Sequence, residues 1–293
     1  MRVFHDIVSL RQHLAIERRG RRVAFVPTMG ALHRGHGACV AVAHGVPDAL
    51  VACSIFVNPA QFAPGEDFQK YPRTLDADIE LLRGWHCDVL FAPPAEEMYP
   101  EPQRAWIEVE GLSAPLDGRF RPGHFRGVAT VVAKLFHVVR PDVAVFGQKD
   151  AQQALIVRAL VRQLALDLEL RLARTVREDD GLAVSSRNAY LAAADRNRAS
   201  SLFAALAAAR RALESGERDA RRIETAAIDA LRGAGITRID YAELRSATDL
   251  SALDAAKGRV ILAIAAYAGA TRLIDNMVFD VRDDGVHADV MLY

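Results

Sequence analysis

The chain has 293 residues, of which 51% are hydrophobic and 25% charged, a composition that excludes disordered and fibrous proteins. Its 37 basic and 37 acidic residues give zero net charge, so the long-range attraction used by general nucleic-acid binders is missing. Without an apolar run of about 18 residues or an apolar start, we expect a cytoplasmic protein that binds neither nucleic acid nor membranes. Cys39, Cys53 and Cys87 form no C-x-x-C pair, so we expect core or half-buried thiols.

The first part of the chain alternates between short apolar runs and segments with helical spacing. The predicted strands are residues 22–26, 49–57, 89–92, 143–146 and 168–173. The predicted helices are the segment that follows the glycine-rich residues 30–37, then residues 75–85, 127–139 and 152–164. This β-α-β alternation predicts an α/β fold with a Rossmann-like, doubly wound parallel sheet.

The composition changes after a loop at residues 177–187. Helix rich in Ala, Arg and Leu is predicted to about residue 232, and β-type stretches follow at residues 239–244 and 259–267. Gly269 and Ala270 separate two apolar stretches and predict a hairpin, and we expect the polar tail from Asp280 to be loosely held. We therefore expect a first domain at residues 1–176 and a smaller α+β C-terminal domain at residues 177–293.

The decapeptide PTMGALHRGH, residues 27–36, lies between the first predicted strand and the first predicted helix. Glycines let the backbone approach a phosphate, and a helix N-terminus offers unpaired N–H donors, so the position predicts an anion site. His33 and His36 lie near one face of the opening turn, so both imidazoles could donate to one phosphate chain. A strand-loop-helix with H-x-G-H is typical of nucleotidyl-transferring enzymes and one class of aminoacyl-tRNA synthetases. An ordinary glycine turn with surface histidines is the competing interpretation.

Two further segments carry groups suited to phosphate. In FGQKD, residues 146–150, the ammonium of Lys149 suits triphosphate oxygens, and Asp150 could hold a nucleotide hydroxyl, Mg²⁺ or Lys149 itself. In VSSRN, residues 184–188, two hydroxyls and a guanidinium could stabilise charge on a leaving pyrophosphate. Alone, the first could be an exposed cap and the second a Ser and Asn turn cap. Their joint occurrence with H-x-G-H favours phosphate binding.

Polar side chains at strand ends are candidates for binding a second substrate. Gln61 follows the second strand, at the edge where open α/β sheets bind ligands. Gln152 and Gln153 lie one turn beyond Lys149, and we expect one of the two amides to face the site. The basic segment RFRPGHFRG, residues 119–127, could be an anion contact or a dimer-facing loop.

Six segments together resemble the pantothenate synthetase family, also called pantoate–β-alanine ligase. They are PTMGALHRGH, SIFVNPAQF, EDFQKYPRTL, RPGHFRGVATVVAKLF, FGQKDAQQ and DGLAVSSRNAYL, in that family's order and spacing. The resemblance implies ATP-dependent condensation of (R)-pantoate with β-alanine to pantothenate, through a pantoyl-adenylate, with release of AMP and pyrophosphate. It further implies Mg²⁺ on the ATP phosphates, a homodimer, and a C-terminal domain that closes over the active site.

The resemblance also implies roles for individual residues. The ATP-binding residues would be Met29, Gly30, Ala31, Leu32, His33, Arg34, Gly35, His36, Gly147, Gln148, Lys149, Asp150, Val176, Val184, Ser185, Ser186 and Arg187. The catalytic residues would be His36, His33, Lys149, Ser185, Ser186 and Arg187. Gln61 and Gln153 would bind pantoate, with Gln61 also near β-alanine, and no protein side chain is assigned as a metal ligand, since Mg²⁺ would lie on the ATP phosphates.

Three residues depart from the family pattern. Arg34 stands where an acidic residue is common, Gly37 replaces an apolar residue, and Ala151 replaces an aromatic one. Gly37 should cost the first helix about 1 kcal/mol relative to Ala, and Ala151 should loosen packing behind the site. None of the three removes a catalytic group.

Three alternative functions compete with the one that the resemblance implies. An adenylyltransferase acting on another small acid or phosphate would keep H-x-G-H but release only pyrophosphate, so AMP formation discriminates. A tRNA synthetase would need an RNA-binding appendage, which the neutral charge and short C-terminal part disfavour. A nucleotide sensor would be expected to lack His36, Lys149 or Arg187, and all three are present.

Overall fold

The computed structural model describes residues 1–63 and 65–293. The strands are β1 (Arg2–Phe4), β2 (Arg22–Thr28), β3 (Ala49–Ile55), β4 (Val89–Phe91), β5 (Val143–Gly147), β6 (Glu169–Ala173), β7 (Ile239–Ser246), β8 (Gly258–Ala268), β9 (Thr271–Arg282) and β10 (Gly285–Ala288). The helices are α1 (Ile7–Glu17), α2 (Arg34–His44), α3 (Leu75–Gly84), α4 (Ala95–Met98), α5 (Asp117–Phe120), α6 (His124–Val139), α7 (Ala151–Gln163), α8 (Ala193–Ala199), α9 (Ser201–Glu214) and α10 (Ala220–Gly233). Among the described residues, no helix combines the length and the apolarity needed to cross a membrane.

The chain divides into two units. The N-terminal unit comprises residues 1–113, 121–147 and 156–173. The C-terminal unit comprises residues 114–120, 148–155 and 174–293.

The N-terminal unit contains a six-stranded parallel sheet in the order β1-β4-β3-β2-β5-β6. The order reverses between β2 and β5, which confirms the predicted doubly wound α/β fold and places the ends of these two strands where such sheets bind ligands. The apolar side chains of α2 pack against β2, β3 and β5 in one buried cluster. The three-residue strand β1 was not predicted, because so short a run carries no recognisable period.

The first predicted strand is longer than expected. It continues through Pro27 to Thr28, although proline usually ends a central strand. On one side β2 pairs with β5 only through Ala24 and Phe25, so a missing N–H beyond Phe25 removes no hydrogen bond to β5. Strand β3 is buried along its whole centre, as the near-continuous apolar run predicted.

The C-terminal unit contains a four-stranded antiparallel sheet in the order β10-β9-β8-β7, covered by α8, α9 and α10. Strands β8 and β9 pair to the tip, where Ala268 lies opposite Thr271, and this confirms the predicted hairpin. The predicted long helix is interrupted into three. Helices α9 and α10 each bury one apolar face against the sheet and each other, including Leu206, Leu213, Ile223 and Leu231.

The expectation of a loosely held tail is wrong. Strand β10 pairs with β9, and Leu292 is only 1% exposed. The Gln148 side chain donates from Nε2 to Val290 O at 3.0 Å and accepts at Oε1 from Leu292 N at 2.9 Å. The polar composition of the tail misled the prediction, because backbone hydrogen bonds hold the tail and leave no mark in composition.

The cysteine expectation is confirmed. Cys39, Cys53 and Cys87 are all buried, and none of the three forms a disulfide. The Sγ atoms of Cys53 and Cys87 are 3.3 Å apart, and this contact together with burial raises the pKa of Cys53 well above its ordinary value.

Candidate active site

A tight loop joins β2 to α2. Gly30 and Ala31 have positive φ angles of 80° and 49°, which reverse the chain before the helix begins. The Asp78 carboxylate of α3 accepts hydrogen bonds from Ala31 N at 2.9 Å and from Leu32 N at 2.8 Å. A Cβ atom at position 30 would lie 3.0 Å from Asp78 Oδ2 and from Ile55 Cγ2, so the loop requires glycine there.

The two histidines of H-x-G-H cap α2 reciprocally. His33 is the N-cap residue, and its Nδ1 accepts from Gly35 N at 3.1 Å. His36 Nδ1 accepts from His33 N at 3.2 Å, and the two ring centroids are 4.1 Å apart. Because both Nδ1 atoms accept hydrogen bonds, each neutral imidazole carries its proton on Nε2.

The sequence analysis expected unpaired backbone donors at this helix N-terminus, and the structure shows that most of them have partners within the protein. The N–H groups of Gly30, Ala31, Leu32, His33, Gly35 and His36 all donate within the protein. Their acceptors are the Asp78 carboxylate, the two imidazoles, the Thr28 hydroxyl and the His33 carbonyl, and sequence spacing does not reveal the carboxylate. The imidazole Nε2–H groups are therefore the candidate side-chain donors to an anion at this loop.

Gln61, the expected pantoate contact, lies in a buried network at the end of β3. Its Oε1 accepts from Asn58 Nδ2 at 3.0 Å, and its Nε2 donates to Met29 Sδ at 3.0 Å. Asn58 is only 1% exposed, and its Oδ1 accepts from Tyr99 OH at 2.7 Å. The structure thus brings together Met29 and Gln61, and it adds Asn58 and Tyr99, to which the sequence analysis gave no role.

The sequence signals for these two missed residues differ. Asn58 precedes Pro59, and its Oδ1 accepts from Ala60 N in a local turn that an Asn-Pro pair could have indicated. Tyr99 is 41 positions from Asn58, so nothing local predicts the contact.

The basic segment before α6 is committed to protein contacts. Arg121 binds Glu66 through two hydrogen bonds, Nε to Oε1 at 3.0 Å and Nη2 to Oε2 at 2.7 Å. Burial acts to raise the pKa of Glu66, but the Arg121 guanidinium outweighs it and holds that pKa below its ordinary value. His124 Nδ1 hydrogen-bonds to Gln61 O at 2.8 Å, so the segment supports the Gln61 turn.

A cavity of about 270 Å³ lies beside the loop that follows β2. It is bounded by Met29, Gly30, Ile55, Phe56, Val57, Phe68, Pro72, Arg73, Thr74, Leu75, Asp78, Ala92, Pro93, Pro94 and Ala95. These residues end or follow β2, β3 and β4, or lie just before or in the first turn of α3, so the cavity opens at the carboxyl edge of the parallel sheet.

In the C-terminal unit, Gln148–Asp150 form a single 3₁₀ turn. Lys149 Nζ lies 3.7 Å from Asp150 Oδ1, with 18% of the lysine side chain and 47% of the aspartate side chain exposed. Asn276 Nδ2 donates to the carbonyl oxygens of Gln148 at 3.1 Å and Lys149 at 2.8 Å. Both ends of the Gln148 side chain hold the tail, so we infer that Gln148 shapes this turn rather than contacting a nucleotide with its amide.

The loop candidates of the C-terminal unit are held by local hydrogen bonds. Val184 N donates to Val176 O at 2.9 Å, which brings these two candidates together. Ser185 Oγ accepts from Arg187 N at 3.3 Å and caps the 3₁₀ helix Ser186–Tyr190. The cap interpretation is therefore correct for Ser185, and it does not exclude phosphate binding, because a hydroxyl that accepts one bond still carries a hydrogen to donate.

The two adjacent glutamines are separated by their environments. Gln152 is buried, its Oε1 accepts from Asp117 N at 3.1 Å and its Nε2 donates to Pro115 O at 2.7 Å. Gln153 is half-buried. Since Gln152 holds the backbone of residues 115–117, Gln153 is the better candidate for substrate.

A buried ion pair holds the start of the loop at residues 177–187, and the sequence analysis did not predict it. Arg177 binds Asp275 through Nη1 to Oδ2 at 2.6 Å and Nη2 to Oδ1 at 3.1 Å. The Asp275 side chain is 1% exposed, and burial raises its pKa although Arg177 opposes that shift. The partners are 98 positions apart, so no local signal identifies them.

Among the described residues, no group of three or more His, Cys, Asp or Glu side chains is placed to hold a metal ion. The loop histidines instead use their Nδ1 atoms to cap α2.

Comparison with known protein families identifies the family of the chain. The family described as Pantoate-beta-alanine ligase matches residues 2–278 of the chain. The chain belongs to the pantoate-beta-alanine ligase family. The resemblance inferred from six sequence segments is thereby confirmed.

Individual members of the pantoate-beta-alanine ligase family are similar over nearly the whole chain. A pantothenate synthetase from Carboxydothermus hydrogenoformans is 48% identical over 283 residues, covering 96% of this chain and 100% of that protein. The crystal structure of pantothenate synthetase from Thermus thermophilus has a TM-score of 0.88 at 45% identity, covering 94% of this chain and 98% of that one. The Francisella tularensis ligase, complexed with beta-gamma ATP and beta-alanine, has a TM-score of 0.78 at 31% identity, covering 94% and 97%.

Proposed function

We propose that this protein condenses (R)-pantoate with β-alanine, using ATP, and so makes pantothenate. Family membership over residues 2–278 supports this activity. The structural observation that supports it most directly is the reciprocal cap formed by His33 and His36. That cap fixes both rings with Nδ1 toward the backbone. Each neutral ring then carries its proton on Nε2, from which it can donate a hydrogen bond to a phosphate oxygen.

The first step of the proposed reaction forms a pantoyl-adenylate. A carboxylate oxygen of pantoate attacks the α-phosphorus of ATP, and the bond from that phosphorus to the bridging oxygen breaks, so pyrophosphate leaves with the electron pair. We assign His33, His36, Lys149, Ser185, Ser186 and Arg187 to stabilising the charge on the phosphates. No protein nucleophile is needed, because the carboxylate itself attacks.

The second step transfers the acyl group. The neutral amine of β-alanine attacks the acyl carbon of the adenylate, AMP leaves with the bonding pair, and the amine proton passes to solvent. Gln61 and Gln153 are assigned to pantoate. The Gln61 amide is oriented for this role, because Asn58 donates to its oxygen and leaves its nitrogen as the donor end.

We assign Mg²⁺ to the ATP phosphates. Mg²⁺ commonly keeps several waters and binds through phosphates and one or two carboxylates, so a dedicated protein cage is not required. The half-exposed Asp150 carboxylate beside Lys149 fits such a partial contact. Bound there, the ion would neutralise phosphate charge.

Three broader assignments complete the proposal. Residues 177–293 would form the domain that closes over an active site on residues 1–176, since an acyl-adenylate must be kept from water. The protein would be a homodimer, which sedimentation would report as twice the monomer mass. It would act in the cytoplasm, where ATP is available.

The test is AMP formation from ATP and Mg²⁺ with (R)-pantoate and β-alanine supplied separately and together. AMP should form at the full rate only with both, and His36→Ala should abolish it. His44→Ala is the matched control, because His44 is an exposed histidine of the same helix. Absence of AMP from every mixture would overturn the proposal, and pyrophosphate without AMP would indicate an adenylyltransferase.

A further inference from the structure

Asp78 is a buried carboxylate to which the proposed reaction assigns no role. It lies in the first turn of α3 and is only 2% exposed. Its two oxygens accept from Ala31 N and Leu32 N, and Thr74 Oγ1 lies 3.3 Å from its Oδ2. A carboxylate so buried is stable only when its charge is met by donors, and here the donors come chiefly from the H-x-G-H loop.

The contact restrains a strained part of that loop. Ala31 has a φ of 49°, a region that costs a residue with a side chain on the order of 1 kcal/mol. The hydrogen bonds from Ala31 and Leu32 to one carboxylate favour this conformation over a relaxed one. Leu32 directly precedes His33, so the position of the N-cap ring depends on where these two amides are held.

The same contact decides what the loop can offer to an anion. A phosphate and the Asp78 carboxylate would compete for the same two amides, and the carboxylate is already in place. Its charge is spread over two amides and a hydroxyl, which limits its repulsion of a nearby triphosphate. Of the groups in this loop, the Nε2–H groups of His33 and His36 are then the ones assigned to the phosphates.

From this geometry we infer that Asp78 is a positioning residue for the adenylate-forming step. It fixes the loop through the amides of Ala31 and Leu32 and so sets the two imidazoles against the phosphates of ATP. The inference rests on the proposed function, because it takes the loop to be an ATP site.

The test compares Asp78→Asn with Asp76→Asn, since Asp76 is an exposed aspartate in the first turn of the same helix. Asn keeps the shape of Asp but turns an NH₂ donor toward one of the two amides, which then loses its acceptor. Pantoate-dependent ATP–pyrophosphate exchange, the KM values for ATP and β-alanine, and the melting temperature would be measured. We expect kcat/KM for ATP to fall at least tenfold in Asp78→Asn, with KM for β-alanine within twofold of the wild type.

The outcomes separate this inference from the proposed function. Failure of the wild type to form AMP with both substrates overturns the function. A wild type that forms AMP, with a folded Asp78→Asn indistinguishable from Asp76→Asn, overturns the inference alone. Equal losses for ATP and β-alanine, together with a lower melting temperature, would show a merely structural role and also overturn it.

A second variant covers failure of Asp78→Asn to fold. Thr74→Val removes only the hydroxyl beside the carboxylate, at an exposed position. We expect this variant to have the melting temperature of the wild type. We also expect its KM for ATP to rise about threefold, because Asp78 loses one weak hydrogen bond. A KM for ATP equal to that of Asp76→Asn would overturn the inference.

Discussion

The H-x-G-H loop of the N-terminal unit and the ion-pair network of the C-terminal unit hold their polar groups by different means. The loop is closed mostly by neighbours in sequence, since His33 and His36 cap their own helix. The C-terminal unit relies on partners far apart, such as Arg177 with Asp275. A site built from neighbours can be identified in the sequence, whereas one held by distant charges cannot.

A second group in the C-terminal unit shows the same long-range character. Asp117 Oδ1 accepts from Tyr241 OH at 2.8 Å and from Arg272 Nη2 at 2.7 Å, and Arg272 Nε donates to Asp240 at 2.7 Å. Burial, then the nearby Asp117 charge, raises the pKa of Tyr241 well above its ordinary value. These bonds fix residues 114–120 to β7 and β9. Removing one charge from such a buried cluster destabilises the fold, because it leaves the opposite charge without a partner.

The buried ion pair of the C-terminal unit should give the largest loss of stability. Arg177→Met should lower the free energy of unfolding by about 3–5 kcal/mol, because it leaves the buried Asp275 carboxylate without its partner. Urea unfolding followed by circular dichroism measures it. Removing both charges in Arg177→Met with Asp275→Leu should recover much of the loss.

The matched control for that prediction is Arg196→Met. Arg196 pairs with Asp180, but 34% and 40% of the two side chains are exposed, so the loss should stay below about 1 kcal/mol. Equal losses at Arg177 and Arg196 would show that burial does not set the strength of these pairs.

A substitution of His33 can separate its role as the N-cap of α2 from its proposed role as a donor to phosphate. Asn is among the best N-cap residues, so His33→Asn should keep the unfolding free energy within about 0.5 kcal/mol of the wild type. It removes the imidazole Nε2–H, and AMP formation should fall about 100-fold or more. Steady-state kinetics beside a urea titration would measure both. Loss of stability without loss of rate would contradict the assignment.

A smaller effect tests a local ion pair of the N-terminal unit by pH. Glu66→Gln should cost about 1 kcal/mol near pH 7, because the pair with Arg121 is half-buried. The folded-state pKa of Glu66 is lowered, so this contribution is complete above the unfolded pKa of about 4.3 and is lost as pH falls through the folded value. The difference between the two proteins should therefore shrink below about pH 4.

The control for the pH experiment is Glu80→Gln. Glu80 pairs with Arg83 on the surface of α3, where 71% and 55% of the side chains are exposed, so little change is expected at any pH. A difference for Glu66→Gln that grows toward acid pH would contradict the sign of the prediction.

Two helical glycines of the N-terminal unit should give small changes in stability that differ in size. Gly84→Ala should stabilise the protein by about 0.5–1 kcal/mol, because no described atom beyond the neighbouring residues and backbone of its own helix lies within 4 Å of the added Cβ. Gly37→Ala should stabilise it less, since its Cβ would lie 3.1 Å from Trp85 Cε2 and Cζ2. Thermal unfolding of the two variants measures the difference. A larger gain at Gly37 would mean that Trp85 shifts without cost.

Much of the fold and part of the candidate site could be predicted from the sequence. Apolar periods of two and 3.6 residues are local, so the central strands and helices could be located to within a few residues, and the doubly wound sheet followed. The candidate residues in H-x-G-H, FGQKD and VSSRN lie in contiguous segments, so the phosphate-binding chemistry of each segment could be predicted from its residue types. Strand β1 was missed because pairing with a distant strand, not periodicity, holds it. The ordered tail was missed because its hydrogen bonds to Gln148 span more than 140 positions and leave no local signal.

The candidate phosphate contacts are visible in contiguous segments of the sequence: two histidines, a lysine, two serines and an arginine. The contacts that hold those segments in place depend on the fold. Asp78 reaches Ala31 across 47 positions and Asp275 reaches Arg177 across 98, and these contacts fix which atoms are already committed. A hydrogen bond depends on distance in space, and only the fold relates that distance to position along the chain.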